Sequence, residues 1–361
     1  MADKITAEAV LEGLSAIKDP ILGFGLVENG LISDINIKGS TVSLKFTSMI
    51  YAHPALEDIK KEISEALKKM DGIDEVKLET AVEVPEDSKL TETGKSKIRT
   101  LIAVASGKGG VGKTTVSVNL AALLAKAGAR VGLMDADVYG PNVPLMMGVN
   151  SLPVQPPDAQ GIAPAEAYGV KMISIGFMVP PDKPIVWRGP MLHSAVQQFV
   201  RDVDWGELDY LIVDLPPGTG DVQLSLAQTF SITGAVIVTL PQQVSLDDAR
   251  RGLEMFRSLE IPVFGVVENM SYLTLPNGEK MDVFGEGGGK VMAEASQTRF
   301  LGGIPMDPTV REGGDTGKPI VIAAPKSEVS KVLEEISVQV GLMAGWTAIK
   351  NRDQKITIEI K

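Results

Sequence analysis

Ser106-Gly107-Lys108-Gly109-Gly110-Val111-Gly112-Lys113-Thr114-Thr115 is the stretch on which the fold turns. It follows an apolar run, Leu101-Ile102-Ala103-Val104-Ala105, and precedes a segment from Thr115 to Lys126 that reads as a helix ending at Gly128. Strand, glycine-rich turn and helix in that order make a cradle for a phosphate chain. The glycines let the backbone come close, its N–H groups point inward, and the helix N-terminus adds positive potential. Lys113 is expected on the β- and γ-phosphate oxygens and the Thr114 hydroxyl on Mg2+, with ATP as the nucleotide. Gly107, Gly109, Gly110, Val111, Gly112 and Thr115 complete the expected binding loop. Lys108 adds a cation that one phosphate chain, already met by Lys113 and Mg2+, does not need. It suits a reach to a neighbouring protomer's phosphates, as an arginine finger supplies charge in other nucleotide hydrolases.

From Ile98 onward, short apolar runs alternate with helical stretches, which predicts an α/β fold with a mostly parallel sheet flanked by helices. Strands are expected at Ile98 to Ala105, Arg130 to Met134, Val170 to Ile175, Tyr210 to Val213, Ala235 to Thr239, Val263 to Val267 and Arg299 to Ile304. Helices are expected at Thr115 to Lys126, Ser194 to Val203, Val222 to Phe230, Leu246 to Leu259 and Lys290 to Glu294. Residues 1–84 read instead as helix, two strands, helix and strand, a small α+β domain. Its helices are Ala7 to Ile17 and Leu56 to Met70, and its strands Leu31 to Ile37, Thr41 to Phe46 and Val76 to Val84. Residues 85–97 are polar with no periodic apolar face and read as a linker. The P-loop domain then spans 98–345, and 346–361 form a C-terminal extension in which Lys355 to Ile360 alternates like an edge strand.

The 361 residues carry a net charge of -11, which offers no footprint for nucleic acid or an anionic membrane. No apolar run approaches the roughly 20 residues that span a bilayer, and Met1-Ala2-Asp3-Lys4 opens no signal core, so the cytoplasm is the expected location. Cysteine is absent, which excludes disulfides, thiolate catalysis and cysteine-ligated metal in this chain. His53 and His193 are far apart in sequence and are expected as packed or solvated side chains.

In open α/β sheets the ligand lies at the carboxyl ends of the strands. Asp135 and Asp137 follow one expected strand, and Asp214 ends Tyr210-Leu211-Ile212-Val213, which reads as a Walker B strand. Asp214 is expected to hold Mg2+, directly or through water, and either Asp135 or Asp137 suits the attacking water. Asn269, after a further apolar strand, offers the donor and acceptor that an adenine edge requires. Pro305 and Met306 stand either against the base face or in a plain turn.

Lys-Gly-Gly-Val-Gly-Lys-Thr-Thr resembles the deviant Walker A loop of the MinD/ParA/nitrogenase iron-protein class, which implies a homodimer formed face to face around ATP. The longer motifs Asp135 to Pro144, Trp187 to Met191, Asp214 to Asp221, Glu268 to Tyr272 and Val283 to Gly288 together resemble the Mrp/ApbC family of iron-sulfur cluster carrier ATPases. Residues 1–84 are similar to the PaaD-like domain often placed ahead of that ATPase, with Asp19-Pro20 and Gly23 to Leu26 near its usual elements. The resemblance implies ATP hydrolysis, iron-sulfur assembly factors and apo-acceptor proteins as partners, Asp137 as the water-orienting aspartate, Asp135 in support of Mg2+ and Asn269 as the base reader. Many members carry Cys-Pro-x-Cys where this chain has Leu273-Thr274-Leu275-Pro276, and Cys-Pro where it has His53-Pro54. A cluster on this chain would need other ligands or a partner's. The other function open to such a chain is a MinD/ParA-like regulatory or positioning switch that binds no cluster.

Overall fold

A computed structural model describes residues 5–90, 96–138, 140–156, 161–178 and 189–359. Residues 91–95 of the expected linker, Tyr139, Trp187, Arg188 and Ile360 lie outside the described residues, as do the side chains of Met191, His193 and Asp221.

The N-terminal unit contains α1 (Ala7–Leu14), β1 (Ile32–Lys38), β2 (Thr41–Ser48), α2 (Leu56–Lys68) and β3 (Glu75–Val82). β2 is the centre strand, antiparallel to β1 and parallel to β3. Alternate residues Val42, Leu44, Phe46 and Ser48 point inward, as a period of two requires when one face is covered. Ile59, Ile63 and Leu67, four apart on α2, fill that face. His53 is packed rather than solvated. Its Nδ1 accepts from the Ala55 N–H at 3.1 Å, which leaves Nε2 to donate to Asp19 Oδ2 at 2.8 Å. Asp19 Oδ1 in turn accepts from the Ile21 and Leu22 N–H groups.

The large unit runs β4 (Lys97–Ser106), α3 (Lys113–Lys126), β5 (Val131–Asp135), α4 (Val143–Met146), β6 (Ala165–Ala167), β7 (Val170–Ser174), α5 (Gly189–Asp202), β8 (Glu207–Asp214) and α6 (Asp221–Thr229). It continues with β9 (Gly234–Thr239), α7 (Gln243–Ser258), β10 (Val263–Glu268), β11 (Leu273–Thr274), β12 (Lys280–Met281), α8 (Gly288–Ala295), β13 (Phe300–Gly303), α9 (Pro308–Asp315), α10 (Ile320–Ala323) and α11 (Glu328–Glu359). Its sheet has the order β13-β10-β9-β4-β8-β5-β7-β6, parallel throughout except for the β6 edge. β4, β8 and β9 are apolar without alternation because helices cover both faces, the property that made them readable as strands. Register brings Asp135 beside Asp214 and Ser106 beside Val238, so the polar strand ends share one edge. The three-residue β6 lacks the apolar run that marks the others and was not expected.

Two expectations at the unit boundaries change. The Lys355 to Ile360 alternation is not an edge strand: α11 continues through Glu359. After Gly345 no glycine or proline interrupts the helix, and adding residues to a formed helix is favoured over starting a new element. The expected limit at 345 therefore falls inside α11. The linker also carries a polar anchor that an apolar-face search does not detect. Asp87 is buried, its N–H donates to the Arg99 carbonyl at 2.8 Å, and its Oδ1 accepts from Asn351 Nδ2 at 2.9 Å.

α11 belongs to both units. Val329, Leu333, Ile336, Val340 and Ala344 enter the core on one face of the large sheet, while Leu342 and Ile349 enter the N-terminal core and Trp346 stacks on Phe24. A second seam lies at Asp209, at the start of β8. Its carboxylate takes Arg130 Nη2 at 2.8 Å and the Arg130 N–H at 2.9 Å, and the Tyr51 hydroxyl of the N-terminal unit reaches it at 3.4 Å. Burial alone would raise the Asp209 carboxyl, but the hydrogen bonds and charge of Arg130, with Arg99, outweigh it and hold the group below its usual value.

Arg130→Ala should lower stability at pH 7 by about 2 kcal/mol, between the values for exposed and buried pairs because Arg130 is partly exposed. A depressed carboxylate contributes stability above its unfolded pKa of about 4 and loses it as pH falls through the folded value. The difference in thermal midpoint between parent and variant should therefore narrow below about pH 4.

Candidate functional site

The loop between β4 and α3 is shaped by its glycines. Gly110 and Gly112 hold φ of +79° and +84°, a region that disfavours side chains. A Cβ on Gly107 would lie 2.1 Å from the backbone of Asp248 on α7, so this glycine sets how closely the loop packs on its neighbour and does not line the cleft. A Cβ on Gly110 would meet nothing within 4 Å. Val111 is buried in the core, and its carbonyl accepts from Asn269 Nδ2 at 2.9 Å.

Lys113 begins α3 and is buried among carboxylates. Its Nζ lies 2.7 Å from Asp214 Oδ2 and 3.7 Å from Asp137 Oδ2. The Thr114 hydroxyl donates to Asp214 Oδ2 at 2.7 Å and Ser117 Oγ to Asp214 Oδ1 at 2.5 Å. Asp214, fully buried at the end of β8, thus has both oxygens engaged. Ser117 escaped the motif reading because it lies outside the loop. It stands one helical turn beyond Thr114, on the same face of α3, and that spacing is the signal that would have found it.

Asp135 and Asp137 part company. Asp135 is fully buried behind the cleft, where its carboxylate accepts from the Asp137 N–H at 3.1 Å, the Val143 N–H at 3.3 Å and Ser174 Oγ at 2.9 Å. Burial first, and then the negative charge of Asp214, push this carboxyl up to about 8. Asp137 lines the cleft itself.

The cleft has a volume of about 790 Å3. Lys108, Gly109, Gly110, Gly112, Lys113, Thr114 and Thr115 line it together with Asn269, Met270, Leu273, Pro305 and Met306, and Asn269 lies directly against the loop through its bond to the Val111 carbonyl. Lys108, Lys113, Asp137, Asn269 and Pro305 are therefore gathered on one surface, whereas Gly107, Val111, Asp135 and Asp214 support it from behind. Sequence reading did not include Met270, Leu273, Val329 or Leu333, which complete the apolar wall. A lining that combines a glycine-rich loop with apolar side chains suits a phosphate chain joined to a flat base. Thr114, Asp214 and Asp137 supply hard oxygen donors of the kind Mg2+ prefers.

The model of ParA, described as the NUBPL iron-transfer P-loop NTPase, matches residues 97–341. The chain belongs to this family. The N-terminal residues 7–79 match a second family, described as an iron-sulfur cluster assembly protein. An iron-sulfur cluster carrier protein of Synechocystis is 45% identical over 96% of this chain and 99% of its own length. A protein of the same name from Escherichia coli K12 is 37% identical, over 92% of this chain and 91% of its own. Among solved structures, the nucleotide-binding protein from Archaeoglobus fulgidus in complex with ADP is 36% identical, with a TM-score of 0.56, covering 64% of this chain and 90% of that one. The MinD protein of Pyrococcus horikoshii shares the fold, with a TM-score of 0.50 at 22% identity over 67% of this chain and 94% of that one.

The sequence departs from a thiolate site in the same region. The position expected to bear Cys-Pro-x-Cys is the short β11–β12 hairpin, tied to α11 by the Tyr272 hydroxyl and Thr274 Oγ1, which donate to Glu328 at 2.9 and 3.1 Å. Among the described residues no group of three or more histidine, aspartate or glutamate side chains is arranged to hold a metal ion. Nor is any described helix long and apolar enough to cross a membrane.

Gly112→Ala should be strongly disfavoured, since its Cβ would fall 2.1 Å from Asn269 Nδ2 at a backbone φ of +84°. The expected loss is about 1–3 kcal/mol, read as a lowered midpoint in thermal unfolding without nucleotide.

Proposed function

We propose that this chain is an ATP-binding and ATP-hydrolysing protein of iron-sulfur cluster assembly, which helps transfer clusters to apoproteins. Family membership carries the iron-sulfur role, supported over both units of the chain. The observation that supports the nucleotide chemistry is the meeting of Lys113 with both Asp214 and Asp137, and of Thr114 with Asp214, beside the cleft.

In this reading the loop N–H groups from Lys108 to Thr115 and the Lys113 ammonium hold the triphosphate, with Gly107 seating the loop on α7 behind them. Thr114 and Asp214 would hold Mg2+, which when bound neutralises charge on the phosphate oxygens. Asp135 supports them by fixing the loop that carries Asp137. Asp137 orients the attacking water, because it reaches the cleft while Asp135 is occupied with Ser174 and two backbone N–H groups. Asn269 reads the base edge, with Pro305 against its face. Lys108, on the lining of the cleft, acts on the nucleotide of a second protomer in a homodimer. A cytoplasmic location, with neither nucleic acid nor membrane as partner, accompanies this reading.

The cluster is cargo, and its ligands are the difficulty. Iron-sulfur clusters are held by soft thiolates, and this chain has none. The transfer step is therefore assigned to a partner's cysteines, with this chain supplying the ATP-dependent change. The same absence favours a second reading, an ATP-dependent regulatory switch of the MinD/ParA type without cluster business.

Lys113→Ala should lose most ATP affinity by calorimetry, whereas Asp137→Ala should keep affinity within a few-fold and lose about 100-fold or more in hydrolysis, as a group acting chiefly in the transition state does. Unchanged affinity in the first variant, or a parental rate in the second, would remove the assigned role.

Anaerobic reconstitution of the purified chain with iron and sulfide should leave at most a weak, labile chromophore. Delivery to an apo-acceptor should rise with ATP only when a cysteine-bearing assembly factor is present. A stable stoichiometric chromophore on the chain alone contradicts the assignment of the ligands to a partner. No effect on delivery under any condition selects the switch.

A further inference from the structure

Glu268 ends β10 beside Asn269 and is fully buried, yet it stands outside the phosphate-binding machinery. Both its oxygens are used. Oε1 accepts from Ser271 Oγ at 2.5 Å and Oε2 from the Gly289 N–H at 2.5 Å. Its backbone carbonyl accepts from the Ile304 N–H at 2.8 Å, next to Pro305. Gly289 permits this closeness, because a Cβ there would lie 2.9 Å from Glu268 Cβ and 3.0 Å from Oε2. A buried carboxylate persists only when its acceptors are met, so these contacts constrain the chain around it.

That constraint falls on the segment that carries Asn269 and Met270 to the cleft. Ser271 and Gly289 bracket the β11–β12 hairpin, so one carboxylate holds both ends of the excursion. Between Glu268 and Ser271, Asn269 turns its amide onto the Val111 carbonyl of the phosphate loop, and Met270 adopts φ of +52°. A methionine in that region is strained and persists where flanking contacts fix it. Met270 and Leu273 then face the cleft.

We propose that Glu268 is a positioning residue for base selection: by clamping Ser271 to the start of α8 it holds the turn that presents Asn269 and Met270 to the nucleotide. This rests on Asn269 reading the base. The clamp sets the height and angle of the carboxamide, and adenine is distinguished from guanine by which edge atoms donate and which accept. Loosening the turn therefore weakens discrimination and nucleotide affinity before it affects bond cleavage.

The test is steady-state hydrolysis of ATP and GTP by the full-length protein with Mg2+, for the parent, Glu268→Ala, Glu268→Gln, Ser271→Ala and Asn269→Ala. Glu268→Ala should raise KM for ATP about tenfold with kcat within about twofold, and shrink the ATP-over-GTP preference by a similar factor. Glu268→Gln should restore most of both, since its amide oxygen accepts from the Gly289 N–H and the Ser271 hydroxyl can accept from its NH2. Ser271→Ala should shift both quantities the same way by a smaller factor, and it decides the matter if Glu268→Ala does not fold. Parental KM and base preference in the folded Glu268 and Ser271 variants, or a fall in kcat alone, overturns the inference while leaving Asn269 as base reader if Asn269→Ala loses preference. If Asn269→Ala keeps the parental preference, the base-reading assignment itself falls and the inference with it.

Discussion

The Asp214 carboxylate is the point on which the nucleotide end of the molecule depends. It is buried at the end of a central parallel strand and takes the Lys113 ammonium and the hydroxyls of Thr114 and Ser117. A carboxyl group is tolerable there only because a cation and hydroxyl donors surround it. The three partners all come from the first turns of α3, so the same contacts that offset burial also fix the helix against β8. Loop geometry, helix position and the placing of Asp137 follow from that junction, while Asp135, one strand over, ties down the loop that carries Asp137.

What could be read in the chain follows from which forces are local. Parallel strands buried on both faces leave uninterrupted apolar runs, so the β4, β5, β8, β9 and β10 segments were visible with ends shifted by a few residues. Glycine conformation and the lysine and hydroxyl of the phosphate loop are encoded within ten residues, and they too were visible. Contacts that join distant segments left little trace. Ser174 on Asp135, Gly289 on Glu268 and Asn351 on Asp87 are each set by the tertiary fold, and Asp87 sits in a stretch whose composition suggests a free linker. The end of α11 misled for the opposite reason: an alternating run forms a strand only where a sheet edge accepts it, and here Lys355 to Glu359 continue an existing helix.

The apolar wall of the cleft and the hairpin are parts of one construction. Leu273 belongs to both, the Met306 N–H donates to the Tyr272 carbonyl at 2.6 Å, and Glu328 holds the hairpin at the turn of α11 whose next residue, Val329, lines the cleft. With leucine, threonine and proline along it, the hairpin here has packing and hydrogen bonds and no soft ligands. Its coupling to the apolar wall of the cleft does not depend on sulfur.

α11 places a limit of a different kind on the molecule. Its first turns lie under the cleft and its later turns lie in the small domain's core, so angular phase along one continuous helix determines which side chains each end receives. Each residue advances an α-helix by about 100°. Inserting or deleting one residue between Val340 and Leu342 would swing Leu342, Trp346 and Ile349 away from the small domain's core while leaving Val329 and Leu333 in place. A loop joining two units absorbs such a change; a shared helix converts it into a rotation, so the spacing along α11 is constrained more tightly than the identity of many residues on it.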